Sequence, residues 1–252
     1  MKKIMAANWK MYKTQQEAKD TAKKLLELID GKVKEDREVL ICPPFTSLSV
    51  VADVINRYQY MKLGAQNFYP AIEGAYTGEI SPKMLIDVGC EYALVGHSER
   101  RHILNESPEF LAQKVEFGLE MGLKIIYCIG EKLDQRKAGK VEQVLTDQLE
   151  KGLAKVSKEK DIVSRLAIAY EPVWAIGTGE VAGEKEIYEA HTLVREKLIE
   201  FIGGQAKDIP ILYGGSVKPD NVKSIINIDN VDGVLVGGAS LDANSFSQIV
   251  LA

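Results

Sequence analysis

Leu166-Ala-Ile-Ala-Tyr-Glu171-Pro172 sets five apolar residues in a row, then a carboxylate, then a proline. A short apolar run without polar alternation is what a strand covered on both faces requires, as in a parallel sheet flanked by helices. Working outward, similar runs rich in Val, Ile and Leu fall at residues 4–7, 39–42, 61–65, 92–95, 124–129, 209–213 and 231–236, making eight with the first. Between them lie longer segments of helical period. Across 15–29, Ala18, Ala22, Leu25, Leu26 and Ile29 share a stripe, and Ile187, Ala190, His191, Val194, Leu198 and Phe201 recur three or four apart. Glu186, Glu189, Arg195, Glu196 and Lys197 fall on the other faces of that second helix. Strand and helix thus alternate in units of about 30 residues, the size of a βα repeat. Right-handed crossovers can close eight such units into a barrel. The expectation is an α/β fold, a closed (β/α)8 barrel of eight parallel strands; a doubly wound open sheet is the competing arrangement. With no Pro-, Gly- or Ser-rich linker, residues 1–252 read as a single domain.

Composition narrows the function classes. The 252 residues carry 32 Lys and Arg against 36 Asp and Glu, a formal net charge of −4. That balance lacks the basic excess selected by nucleic acid or an anionic membrane, so neither partner is expected. Cys42, Cys90 and Cys128 are odd in number, far apart and set in apolar contexts. They read as core residues of a reducing compartment, with no disulfide and no metal site. The apolar run at 4–7 is too short for a signal peptide, and no stretch approaches the roughly 20 apolar residues of a membrane span. A cytoplasmic location is expected.

The chemistry of a (β/α)8 barrel is built from loops at the C-terminal ends of its strands. Strand 1 ends in Asn8-Trp9-Lys10, strand 4 in Gly96-His97-Ser98-Glu99, strand 6 in Glu171-Pro172, strand 7 in Gly214-Gly215-Ser216 and strand 8 in Gly237-Gly238. Pro172 biases its predecessor toward extended backbone, which holds Glu171 at the strand tip. That carboxylate is a candidate general base; the bland alternative is an ordinary ion pair. His97 stands where a helix begins, with Ser98 as the expected N-cap and Glu99 in the first turn. A positive helix end disfavours protonated imidazole, and a neutral ring can donate to a carbonyl oxygen becoming an enediolate. Lys10, with Glu99 as partner, is the candidate cation for an anionic substrate or a developing oxyanion. The glycine turns after strands 7 and 8 leave backbone N–H groups for an anion, the position of phosphate in many such barrels.

Residues 172–179 run from Pro172 through an apolar middle to Gly177-Thr178-Gly179, and an apolar loop tip of this kind reads as a lid that excludes water on closure. The same segment holds a decoy. Gly177-Thr178-Gly179-Glu180-Val181-Ala182 matches the G-x-G-x-x-[GA] dinucleotide pattern. It opens six residues past a sixth strand, and no acidic residue ends a following strand about 20 positions on, so NAD binding is rejected.

Six segments taken in order carry a resemblance. Ala7-Asn-Trp-Lys10, Val95-Gly-His-Ser-Glu-Arg-Arg101, Tyr127-Cys-Ile-Gly-Glu131, Ala169-Tyr-Glu-Pro-Val-Trp-Ala-Ile-Gly-Thr-Gly179, Leu212-Tyr-Gly-Gly-Ser-Val217 and Gly233-Val-Leu-Val-Gly-Gly-Ala-Ser-Leu241 together resemble triosephosphate isomerase. The match spans the chain, and the segment around Glu171 is its most specific part. The resemblance implies a TIM barrel and cofactor-free, metal-free interconversion of dihydroxyacetone phosphate and D-glyceraldehyde 3-phosphate. It implies that Glu171 shuttles the proton and that His97 is the neutral electrophile, an assignment that this family exemplifies. Lys10 and Asn8 would bind substrate, and Gly177, Ser216, Gly237 and Gly238 would donate N–H groups to its phosphate. It further implies a homodimer in which the long segment 66–82 docks into the second subunit, with Thr77 near the partner's site. Phe68, Tyr69, Ile72 and Tyr76 give that segment an apolar load that wants a cover. Tyr12 departs from the family pattern and affects only local loop packing.

Two rivals remain at this level. Another phosphate-binding (β/α)8 enzyme, such as an aldolase or a different sugar-phosphate isomerase, predicts a Schiff-base lysine or paired aspartates at strand tips. Lys10 is the only lysine placed there, and no aspartate pair appears. A non-catalytic barrel that binds a phosphorylated metabolite predicts no turnover.

Overall fold

The structure, a computed structural model, describes residues 2–156, 161–176 and 182–252. Eight strands, β1 (Lys3–Asn8), β2 (Arg37–Cys42), β3 (Met61–Ala65), β4 (Tyr92–Val95), β5 (Lys124–Ile129), β6 (Leu166–Tyr170), β7 (Ile211–Tyr213) and β8 (Gly233–Val236), form a closed barrel in chain order. Every neighbouring pair is parallel, and β8 returns to β1 with Ile4 opposite Gly233. The barrel is therefore closed, and the open-sheet alternative is excluded.

The absence of polar alternation has a direct cause. One side chain set, including Ile4, Ala6, Leu40, Tyr92, Ile126 and Leu212, packs inside the barrel. The intervening set, including Met5, Ala7, Val39, Ile41, Ile125 and Ile168, packs outward under the helices. Inside, small residues make room for large ones. A Cβ on Gly64 would come within 2.7 Å of the Cys42 Sγ and 3.0 Å of Leu40, closer than packed atoms approach. All three cysteines are buried and unbridged, with burial pushing the Cys90 thiol up to about 12.

Helix α1 (Gln15–Ile29) buries the stripe its periodicity predicts: Ala18, Ala22, Leu25, Leu26 and Ile29. Its first turn is closed by a capping box, in which Glu17 reaches back to the Thr14 N–H at 2.7 Å. The helix after β6, here α2 (Glu184–Ile202), buries Ile187, Ala190, His191, Val194 and Leu198 as expected. Two expectations on it are corrected. Ile202 takes the buried place at its end while Phe201 is only partly covered. Arg195, expected on an outer face, is buried. Its guanidinium donates to Asp232 at 2.7 Å and to the carbonyls of Ala206 and Ile209, so bonds and an ion pair offset its desolvation.

The last two strands begin later than the runs at 209 and 231 suggest. Ile209 closes a 3-10 turn by donating to the Ala206 carbonyl, and Pro210 has no N–H for a ladder. Val231 donates to Ile228 across a turn that holds Asn230 at φ 63°.

His191 is fully buried, with Nδ1 2.8 Å from the Asn230 carbonyl, and burial pushes its pKa down to about 4 from 6.5. The folded chain keeps this ring neutral while the unfolded chain protonates it. Its contribution is complete above pH 6.5 and is lost as pH falls toward 4, about 3 kcal/mol in all. Urea unfolding at pH 7 and pH 5 should therefore show the parent losing ~2 kcal/mol more than His191→Gln. Equal losses in the two proteins would contradict this reading.

Candidate active site

The C-terminal ends of β1, β4, β6, β7 and β8 surround a cavity of about 280 Å³. Asn8, Lys10, His97, Glu171, Ser216, Gly237 and Gly238 all line it, together with Ile176, Gly214, Gly215 and Lys218. All the site residues expected from the sequence are thus brought together, save Gly177. That glycine and the rest of the dinucleotide-like stretch through Val181 lie outside the described residues.

Glu171 is buried, and each carboxylate oxygen has a partner. Oε1 lies 3.1 Å from His97 Nε2, and Oε2 accepts the Ser98 N–H at 3.1 Å. Burial raises its pKa above the ordinary carboxylate value; His97, the Ser98 N–H, Lys10 and Arg101 oppose that rise without cancelling it. The backbone beneath it is fixed at close quarters. Glu171 donates its N–H to Ile129 at 2.7 Å, and a Cβ on Gly130 would lie 1.7 Å from the Glu171 carbonyl oxygen. Only glycine fits at that crossing.

His97, not Ser98, is the N-cap of the short helix Ser98–His102, which corrects the expectation. Its Nδ1 accepts the Glu99 N–H at 3.3 Å. An imidazole that accepts at Nδ1 carries its proton on Nε2, the nitrogen that faces Glu171 and the cavity. With Nδ1 accepting, Nε2 is the nitrogen able to donate toward the cavity. Glu99 also places a carboxylate oxygen 3.4 Å from Nδ1, but its other oxygen is taken by Lys10 at 2.8 Å. Behind the histidine, Arg101 donates to Gly96 at 2.7 Å and to Cys128 at 2.8 Å, tying the tips of β4 and β5.

Lys10 sits at φ 51°, in the left-handed region that a residue with a Cβ enters at a cost of about 1–2 kcal/mol. Its N–H donates to the Asn8 side chain at 3.0 Å, and its carbonyl accepts from Gln66 Nε2 at 2.8 Å. Gln66 also donates to the Cys42 carbonyl, so it braces the tips of β1 and β2. Sequence reasoning missed Gln66, the first residue past the tip of β3.

The glycine turns differ in form. After β8, a 3-10 turn (Gly238–Ser240) begins at once, fastened by Ser240 Oγ donating to Gly237 at 2.6 Å. After β7, the next helix starts only at Val222, so no helix end abuts Ser216. Among the described residues, the N–H groups of Ser216, Gly237 and Gly238 make no hydrogen bond. Three such donors on residues that line the cavity could together accept an anion.

The first residues of the expected lid form a 3-10 turn (Val173–Ala175), and Ile176 reaches the cavity. Glu131 anchors this turn. It is fully buried, accepts from Trp174 Nε1 at 2.9 Å, Arg136 at 2.8 Å and Tyr170 at 3.2 Å, and receives the Val173 N–H on its carbonyl. The strand-tip rule that selects His97 also points to Glu131, two residues past β5.

A sequence model of the triosephosphate isomerase family matches residues 3–252. The chain belongs to the triosephosphate isomerase family. It is 56% identical over 252 residues to triosephosphate isomerase of Nitratidesulfovibrio vulgaris (strain DP4), with both chains wholly covered. It is 57% identical over 252 residues to that of Oleidesulfovibrio alaskensis, again with both chains wholly covered. Triosephosphate isomerase of Fusobacterium nucleatum is 47% identical over 250 residues, 99% of this chain and 98% of that one. Triosephosphate isomerase is thus the name carried by relatives that span the cavity, its rim and the barrel alike.

Proposed function

We propose that the protein interconverts dihydroxyacetone phosphate and D-glyceraldehyde 3-phosphate by proton transfer through an enediolate, without cofactor or metal, in glycolysis and gluconeogenesis. The observation that carries this reading is a buried carboxylate of raised pKa 3.1 Å from His97 Nε2, in a cavity lined by residues whose N–H groups make no hydrogen bond among the described residues.

The substrate phosphate binds the N–H groups of Ser216, Gly237 and Gly238, joined by Gly177 when the lid 172–179 closes. Its carbonyl oxygen takes the His97 Nε2–H that Glu171 accepts at rest, with Lys10 and Asn8 alongside. Glu171, released toward the carbon, accepts a proton from C1 of the ketose. The C–H electron pair becomes the C1–C2 double bond, and negative charge develops on O2 against His97 and Lys10. Glu171 then returns the proton to C2, while the O1 hydroxyl proton passes to O2 through the imidazole. The closed lid keeps water from the enediolate and holds the phosphate against departure.

Supply of glyceraldehyde 3-phosphate with a hydride-transfer enzyme that consumes dihydroxyacetone phosphate tests the reading: steady oxidation of the reduced nicotinamide supports it, and its absence refutes it. The pH dependence follows from burial of Glu171. Because the base must be ionised, kcat/KM should fall, as pH drops, at a higher pH than an ordinary carboxylate near 4.5 would give. A pH profile of kcat/KM calculated per phosphate dianion, which itself protonates at about pH 6, checks this, and an acid limb at or below 4.5 contradicts it.

The chain works as a homodimer in the cytoplasm on this proposal. Phe68 is buried in its own chain and forms no part of a docking surface, and Pro82 opens the helix Pro82–Asp87. Ile72, Tyr76 and Met84 are exposed, as are Met11, Ile103 and Leu104 on neighbouring rim loops. A second copy covers this face through the 66–82 segment, bringing the exposed Thr77 near the partner's site.

A further inference from the structure

We infer that Lys218 is a second phosphate-binding cation of this site, one that sets substrate affinity and capture without taking part in proton transfer. The inference rests on the phosphate reading above. Two lysines, Lys10 and Lys218, are among the residues that line the cavity. Lys10 is spoken for by Glu99 at 2.8 Å. Lys218 has no ion pair among the described residues, so none of them competes with a dianionic guest for its charge.

The backbone holds Lys218 in place on the phosphate side. Its N–H donates to Asn221 Oδ1 at 2.8 Å, and Asn221 Nδ2 donates in turn to the Ser216 carbonyl at 3.1 Å. One asparagine thereby couples the lysine to cavity-lining Ser216, whose N–H makes no hydrogen bond among the described residues. Pro219 follows, which restricts Lys218 to extended backbone and keeps it out of the helix that starts at Val222. In a chain of net charge −4, a phosphate dianion needs local positive charge at the cavity mouth to be drawn in.

An exposed ammonium is a flexible point charge, so its effect is modest and uniform across the reaction coordinate. Lys218→Gln should raise KM, and the inhibition constant of inorganic phosphate, about two- to fivefold, with kcat unchanged. The dependence of kcat/KM on ionic strength should flatten in the same variant, because the screened charge is gone. Lys218→Arg should restore KM and phosphate inhibition. Lys223→Gln, which removes the same charge from the following helix, should leave both at the parent values. Unchanged KM and phosphate inhibition in Lys218→Gln would overturn the inference, as would equal rises in the Lys223→Gln control or no recovery in Lys218→Arg. If the parent itself neither turned over triose phosphate nor bound phosphate, the functional reading would fail first, and the two failures remain distinct.

Discussion

Glu171→Asp is expected to lower kcat about 10²-fold while the protein stays folded. The substitution keeps the charge and shortens the side chain by one methylene, withdrawing the carboxylate by about 1 Å, a misplacement that can cost a reaction roughly 10²-fold. The surroundings offer no compensation. The backbone of Glu171 is pinned through its N–H to Ile129, and its carbonyl is crowded by Gly130. The shorter side chain also cannot keep both the His97 and Ser98 contacts at 3.1 Å. Steady-state kinetics should show the loss mainly in kcat, with urea unfolding close to the parent. Near-normal turnover would remove Glu171 from the role of base.

His97→Gln is expected to lower kcat by about 10² to 10⁴, the range for losing a positioned proton-transfer group. A glutamine amide can donate a hydrogen bond toward O2, but it cannot hand over one proton and accept another as an imidazole does. Its side-chain oxygen can still accept the Glu99 N–H, so the helix cap is preserved in kind and the stability change stays near 1 kcal/mol. The discriminating result is the combination: activity collapses and unfolding barely moves. If stability fell and turnover did not, the cap would be the whole role of His97.

Much of the barrel was legible because one physical demand recurs eight times: a strand buried on both faces must be apolar throughout. The stripe on α1 was legible for the same reason. Arg195 was not, because periodicity sees which face a residue occupies and not that Asp232 waits there with a carboxylate. The site was legible where chemistry-bearing residues end strands, as with Lys10, His97 and Glu171. It was less so where a residue acts by bracing others: Gln66 works through the carbonyls of Lys10 and Cys42, a contact that no local pattern announces. The cap at His97 escaped because serine is the commoner capping residue. The ring takes that role here, and in doing so fixes its own tautomer.

On the proposed mechanism, the arrangement also accounts for how Glu171 and His97 are stored between turnovers. At rest Glu171 and His97 satisfy each other, which spares a buried carboxylate and a buried ring from standing unpaired. On the proposed mechanism, substrate would separate them by offering the ring an oxygen and the carboxylate a carbon-bound proton. A Cβ on Gly214 would stand 2.9 Å from the Glu171 Cγ, so glycine there leaves the side chain room to move.

The most direct test is a crystal structure with an unreactive phosphorylated enediolate mimic in the cavity. The account predicts that the Glu171 carboxylate leaves the Ser98 N–H and stands about 3–3.5 Å from the mimic's carbon skeleton. His97 Nε2 should face the mimic's oxygen, and its phosphate should rest on Ser216, Gly237 and Gly238. A mimic seated there with Glu171 and His97 still bound to each other, or a phosphate bound away from those three residues, would contradict it.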